Sequence, residues 1–339
     1  MTIWQVAAGD GSRDYADVFL KFGVILVGPG SEGGYFSNKD AYNNPDSWAY
    51  RPFIKTIAEE LAKGDLVVLK RPNGCNWEIV AVGEITSDYV HENVFGDVDG
   101  WDIQHCRKIN WKTPTSQSII SGLRRGTLIR VNNQRAINEA NQVWVNGQQV
   151  ISNAIPPEPE EISVDQLIDS LMIEGLPGQN AELIANTIWR LRRVAKWYSS
   201  HGSDVGEHEI RTFLIAPLLT SLGWAEQKIK IEWHNIDVAL FDTPYSENSK
   251  PLVIIESKRL WDGLRYAPNQ AISYAQTYPT CERFIVSDGI RYKLYQRKGD
   301  QWRYAAYMNL LAPKRIHPYE PGVNGAVSFF LALIPKGAI

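Results

Sequence analysis

Cysteine is scarce: Cys75, Cys106 and Cys281 are all that 339 residues hold. They are odd in number and far apart, which excludes a disulfide framework and a CxxC metal site. Long apolar runs are missing as well. No stretch approaches the roughly 20 residues of a bilayer-spanning helix. The start, MTIWQVAAGDG, lacks a charged-then-apolar signal pattern, so secretion and membrane insertion are not expected and a cytoplasmic protein is. His91, His105, His201, His208, His234 and His317 show neither HxH nor HExxH spacing, and none is assigned to a metal. A GxxxxGK[ST] loop is absent, so no ATP is expected as a partner.

What is present points to two regions of different character. The length is about twice that of a common domain. The net charge of −3 hides an asymmetry: residues 1–180 carry 15 Lys and Arg against 23 Asp and Glu, residues 181–339 carry 20 against 15. A basic second half suits a polyanionic partner. The seam is expected in Ile155-Pro-Pro-Glu-Pro-Glu-Glu161, where prolines remove backbone donors and carboxylates keep the chain solvated. Ser163-Val-Asp-Gln166 then reads as a capping box opening a short helix. The expected division is 1–150, a linker with a short helix over 151–178, and 179–339.

The first region is dominated by short β-rich runs: Ile3–Ala7, Gly23–Val27, Leu66–Lys70, Trp77–Thr86 and Arg107–Trp111. Ile54–Ala62 and Gln117–Gly122 read as helices. Many short strands and few helices predict a small curved sheet or partly open barrel. The second region alternates helices (Ala181–Tyr198, Glu207–Leu222, Tyr266–Thr277) with strands at Lys228–Trp233, Ile236–Phe241, Leu252–Glu256, Arg283–Ser287 and Lys293–Arg297. That order predicts an α/β layer on a mixed central sheet.

The chemistry concentrates in the second region. Asp237 lies at the start of one apolar strand, and Glu256 and Lys258 at the end of the next. The strand period of two sends Glu256 and Lys258 to one face. Two converging carboxylates beside an ammonium make a Mg²⁺ site, because Mg²⁺ takes few carboxylates and keeps several waters. The plainer reading is a strand-end salt bridge between Glu256 and Lys258.

Further residues stand around this set: Glu209-Ile-Arg211, Ile215-Ala-Pro217-Leu-Leu219, Leu222-Gly223-Trp224, and the helical Gln270-Ala-Ile-Ser-Tyr274. With them, residues 181–300 resemble the PD-(D/E)xK nuclease superfamily, in particular the nuclease domain of type I restriction motor subunits. The resemblance implies a Mg²⁺-dependent endonuclease in which Mn²⁺ substitutes. Asp237, Glu256, Glu209 and the Ser257 carbonyl would hold the metal. Lys258 and Gln270 would join the catalytic set, and Tyr274 would contact DNA. Glu207 rivals Glu209 for its place.

Ile3 to Gly9, Phe19 to Val27, Gly64 to Leu69, Val82 to Ile85, Asp88-Tyr89 and His105 to Trp111 resemble the EVE/PUA-like domains of modification-dependent restriction proteins. Such domains often carry Gly-Trp after the second strand; here Gly28-Pro29 stands there. The chain holds twelve tryptophans, and aromatic residues in a β domain either fill the core or line a pocket for an extruded base. Tyr35, Trp48, Trp77 and Trp101 are the pocket candidates, with Asp102 or Asn76 for the base edge. Lys70, Arg71, Arg124 and Arg125 are candidate phosphate contacts.

Together the two resemblances imply cleavage of double-stranded DNA carrying a modified base, a cytosine derivative, by a homodimer on DNA. A non-cleaving nucleic-acid-binding protein, and a nuclease acting on RNA or unmodified DNA, remain as alternatives.

Overall fold

The computed structural model describes residues 1–10, 13–73, 75–201, 205–260, 264 and 267–335. It is an α+β protein with two mixed sheets. The chain divides into two compact units, Met1–Pro157 and Glu158–Ile339. The division falls inside the proline-rich stretch.

In the first unit, strands β1 (Ile3–Ala7), β2 (Gly9–Asp10) and β3 (Arg13–Asp14) lead to helix α1 (Ala16–Phe22) and strand β4 (Val24–Val27). Short helices α2 (Lys39–Asn43) and α3 (Pro52–Lys55) follow, the latter running on into a π turn over Thr56–Glu60. Then come β5 (Leu66–Asn73), β6 (Asn76–Ile85), β7 (Val90–His91), β8 (His105–Thr113), β9 (Ser118–Ile120), β10 (Leu128–Arg130), α4 (Gln134–Asn146) and β11 (Gln148–Gln149). The main sheet runs β10-β1-β5-β6-β8-β11, with β4 and β7 also on β8 and β9 on β6, and curls into a half barrel. Leu66 to Leu69 of β5 are fully buried, as a strand sandwiched between parallel β1 and antiparallel β6 requires. Gly23 ends α1 in the left-handed region, and its N–H closes on Leu20 and Phe19. Asn133 caps α4 by accepting from the Ala136 N–H.

One expected helix is a strand. Ser118–Ile120 lies in the Gln117–Gly122 stretch and pairs antiparallel with Trp77–Ile79. Its alternation of buried Ser118 and Ile120 around exposed Ile119 is a strand's period, and six residues are too few for helical periodicity to outweigh it.

The second unit opens with α5 (Val164–Ile173) and α6 (Gly178–His201). The Ser163–Gln166 capping box is present in both directions. The expected linker over 151–178 ends early, however: Ile162, Leu167, Leu171 and Leu176 are buried in the unit's main core. An apolar face at helical spacing is what draws this helix out of the linker. Next comes a continuous helical stretch: α7 (Glu207–Ile210), a π turn over Arg211–Ile215, and α8 (Ala216–Ser221). Pro217 lacks the N–H that an α-turn would need, and the wider turn absorbs that loss. Strands β12 (Ile229–Trp233), β13 (Ile236–Leu240), β14 (Val253–Ser257), helix α9 (Ala267–Thr277), β15 (Arg283–Ser287), β16 (Arg291–Lys298), β17 (Gln301–Asn309) and α10 (Ala326–Leu333) complete it. The strands lie in sequence order; β14 and β15 are parallel and the other neighbours antiparallel.

Alternate residues of these strands feed two cores on opposite faces of the sheet. Val253 and Ile255 pack with α6, α8 and α10, while Ile254 packs with Ala275 of α9. Trp224 is buried and donates its indole N–H to the Leu333 carbonyl at 2.7 Å, tying the helical stretch to α10.

Candidate functional site

The register sets Val238 of β13 opposite Ile255 of β14. Continued by one residue, it brings Asp237 opposite Glu256. By the period of two, Glu256 follows Ile254 onto the face covered by α9, whereas Asp237, whose neighbour Ile236 already lies in that core, turns to Arg211 and Ser257 at the sheet end. The two carboxylates and Lys258 lie near one another at this end of the sheet.

Lys258 Nζ donates to Glu256 Oε1 at 2.7 Å. Glu256 is buried, and burial, followed by the fields of Asp237 and Glu207, raises its carboxyl above the usual range, against the Lys258 hydrogen bond. Burial alone would lower the Lys258 ammonium. The hydrogen bond to Glu256 and the fields of Glu256, Glu207 and Asp237 outweigh it and hold the ammonium above its ordinary value.

Asp237 is held from three directions. Its Oδ2 accepts from the Ser257 N–H at 2.7 Å and from the Ser257 hydroxyl at 2.9 Å, and its Oδ1 accepts from Arg211 Nη1 at 2.6 Å. Arg211 is itself buried, reaches Ser257 Oγ at 3.2 Å and pairs with Glu232 at 2.8 Å. Arg211 had no role in the sequence reading. Its only signal there was its place on the helical stretch two residues after Glu209. The Ser257 side chain, expected to contribute nothing beyond its carbonyl, also fastens Asp237.

Glu209 sets its carboxylate against Gly206, and its field acts on Tyr198. Glu207 is the residue of this stretch whose field reaches both Glu256 and Lys258. Two residues along a helix rotate a side chain by roughly 200°, so only one of the pair can look inward. Gln270 and Tyr274 belong to α9, but their side chains fall outside the described ones.

Among the described residues, no group of three or more His, Cys, Asp or Glu side chains gathers closely enough to hold a metal. The donors at this sheet end are two carboxylates and the Ser257 main-chain carbonyl. That set fits a Mg²⁺ that retains waters and does not fit a closed zinc site.

The first unit holds a cleft of about 160 Å³. It is walled by the end of β1 (Ala7, Ala8), by Tyr15 and Phe19, by Val27 and Gly28 at the end of β4, and by Phe53 and Trp101. Such a volume is below the roughly 300 Å³ of a common small-molecule pocket and suits a single ring. Gly28 is required here, because a Cβ would stand 1.7 Å from the Asp102 carbonyl oxygen.

Of the four expected aromatic residues, the structure places only Trp101 at this cleft. Tyr35 is fully buried and bonds Asn43; Trp48 is exposed and donates to Glu32 at 2.8 Å. Trp77 packs on the core with the Lys70 ammonium 3.8 Å from its ring centroid. Tyr15, Phe19 and Phe53, which do line it, were missed because their spacing matches ordinary core residues. Asp102 accepts from the Ser31 N–H at 2.7 Å and so fixes a loop, and Asn76 closes the β5–β6 hairpin opposite Asn73.

The expected phosphate contacts change as well. Lys70 is buried, its ammonium bonded to the Arg124 carbonyl, and burial pushes its pKa down to about 8. It cannot reach a phosphate. Arg71 faces Asp14 at 3.3 Å and Glu78 at 3.9 Å. The side chains of Arg124 and Arg125 are exposed.

Residues 4–131 match a domain of unknown function (DUF8426). The match runs from β1 past β10 and contains every residue lining the cleft. It stops short of α4 and of the whole second unit. No curated protein matches the chain. No helix among the described residues is long and apolar enough to cross a membrane.

Proposed function

We propose that this chain is a modification-dependent DNA endonuclease: a PD-(D/E)xK-like second unit hydrolyses phosphodiesters, and an EVE/PUA-like first unit reads a modified, cytosine-derived base. The observation that carries the reading is the convergence of Asp237, Glu256 and Lys258 at the end of adjacent strands β13 and β14. The apolar cleft at Trp101 supports the reader, since an extruded base is held between aromatic and apolar walls.

Asp237, Glu256 and the Ser257 carbonyl would hold Mg²⁺ or Mn²⁺, which when bound supplies Lewis-acid polarisation of a phosphoryl oxygen and a more acidic water. Lys258 stays an ammonium at neutral pH, because its pKa is raised. It therefore stabilises developing negative charge and orients water instead of taking a proton. Arg211 and Ser257 fix the Asp237 carboxylate so that its orientation costs nothing at the moment of reaction. A site of this kind cuts one strand, so a double-strand break calls for two copies of the chain or two successive nicks.

One observation favours a second reading. Arg211 already neutralises Asp237, as it would in a nucleic-acid-binding protein that does not cut. The two readings separate on matched duplexes carrying cytosine, 5-methylcytosine, 5-hydroxymethylcytosine or glucosylated cytosine, incubated with Mg²⁺ or Mn²⁺ beside Asp237→Ala and Lys258→Ala controls. Cutting confined to one modified duplex and lost in both controls is the expected result. Equal cutting of all four removes the reader. Binding with no cutting anywhere removes the nuclease.

A further inference from the structure

Helix α6 presents a face that neither the sheet-end site nor the cleft uses. Its buried residues Ala181, Ile184, Ala185, Ile188, Leu191 and Ala195 are spaced three and four apart and face inward. The outward residues Trp189, Arg190, Arg193, Lys196 and Trp197 are exposed. Trp189 is 46% and Trp197 57% accessible, which is unusual for the largest apolar side chain in a helix that had core positions to offer. The helix's one carboxylate, Glu182, lies two turns before Trp189, so the stretch 183–201 is cationic without compensation from its own residues.

The cations and indoles are interleaved. The Arg193 guanidinium lies 4.0 Å from the Trp189 ring centroid, and Trp189, Arg192, Arg193, Lys196 and Leu311 line one groove. Arg192 is committed to Glu161 and to the Leu311 carbonyl, so it shapes the groove wall and leaves Arg190, Arg193 and Lys196 as the charges facing outward. Trp189 and Trp197 are eight residues apart, about 12 Å along the helix. The C-terminal end of the face meets Tyr198, whose phenol feels Glu209 on the stretch that also carries Glu207.

We infer that this face of α6 binds a nucleic-acid strand with unpaired bases, laying phosphates against Arg190, Arg193 and Lys196 and stacking bases on Trp189 and Trp197. A protein partner would also use tryptophan and arginine, but protein interfaces are depleted in lysine and match positive charge with carboxylates. A cationic groove with spaced aromatic platforms is the recurring solution for single strands. The inference rests on the proposed function only for the class of polymer; it needs no cleavage.

The test measures anisotropy of a fluorescent 20-nucleotide DNA strand and of its duplex, between 50 and 200 mM salt without divalent metal. The full chain is compared with Arg190→Glu/Arg193→Glu/Lys196→Glu and with Trp189→Ala/Trp197→Ala, each checked for an unchanged melting profile. All five positions are exposed, so folding is retained. The triple variant is expected to bind the strand at least tenfold more weakly and to lose about 2 units of salt slope. The tryptophan pair is expected to lose about tenfold on the strand and little on the duplex. Unchanged affinity for the strand in both variants overturns the inference, as does binding confined to the duplex. If the strand binds through this face and no duplex is cut with Mg²⁺, the proposed function fails and the inference stands. If cutting proceeds while neither variant alters strand binding, the inference fails alone.

Discussion

Arg211 and Asp237 form a 2.6 Å ion pair between the π turn of the helical stretch and the start of β13, both partners largely buried. The same guanidinium reaches Ser257 and Glu232, so one side chain fixes the geometry around a carboxylate proposed to hold metal. Replacing it by glutamine leaves Asp237 with the two Ser257 bonds and no countercharge. Removing one partner of a buried pair costs about 3 kcal/mol. Urea unfolding of Arg211→Gln is expected to show a loss near that figure, and Arg211→Lys a smaller one. A loss within 0.5 kcal/mol, the range of about 0.5 kcal/mol typical of surface changes, would mean that the pair does not hold the site.

Glu207 and Glu209 should separate cleanly. Glu207 raises both Glu256 and Lys258, so Glu207→Gln lowers both and moves the cleavage-rate profile to lower pH. Glu209→Gln is expected to leave the profile in place. The reverse ranking, measured with Mg²⁺ across pH 5 to 10 (a range of about five units around neutrality), would return Glu209 to the site.

Lys258→Met keeps the length of the side chain and removes its charge. If the ammonium stabilises developing charge, the cleavage rate falls by about 100-fold or more while DNA binding persists. A Lys258→Met chain that cuts at the parent rate would leave only the structural bridge to Glu256.

His105 makes the first unit sensitive to acid. Its Nε2–H donates to the Pro29 carbonyl at 2.9 Å, which can only accept, so Nδ1 is the acceptor for the Tyr89 hydroxyl at 2.6 Å. Burial pushes its pKa down to about 4. The unfolded chain takes up a proton near pH 6.5 and the folded chain only near pH 4. Stability therefore falls as pH drops through that window and flattens below it. The contribution is about 3 kcal/mol. Denaturation at pH 7 and pH 4.5 should show this loss in the parent chain and not in His105→Asn.

The cleft offers a test of selectivity apart from cutting. Ala7→Phe places a ring where a base would enter, and Trp101→Ala removes a wall. Both are expected to abolish preference among modified duplexes while leaving the sheet-end chemistry intact. Preference unchanged in both variants would move base reading away from this cleft.

Which parts of this molecule were legible in the sequence follows from the range of the forces involved. Asp237, Glu256 and Lys258 could be placed together because strand period and strand adjacency are both local properties. The choice between Glu207 and Glu209 depends on how the helical stretch is rotated, and the π turn at Arg211–Ile215 alters that rotation without leaving a mark in hydrophobic spacing. Lys70 reads as a surface charge until Trp77 and the Arg124 carbonyl close over it from distant positions. Tyr35, Trp48 and Trp77 share an aromatic composition and differ only in burial, which tertiary packing decides.

The burial of α5 also dictates where this chain can be divided. Ile162 N–H bonds the Pro313 carbonyl at 2.8 Å, Lys314 bridges to Glu158 and Arg192 to Glu161. The first residues of the second unit are thus sewn to a segment near the far end of the polypeptide. A recombinant fragment starting at 179 would expose Leu167 and Leu171's binding surface on α6 and α10 and would precipitate or unfold. A fragment starting at 158 keeps the seam intact, and is the piece in which the proposed cleavage can be tested by itself.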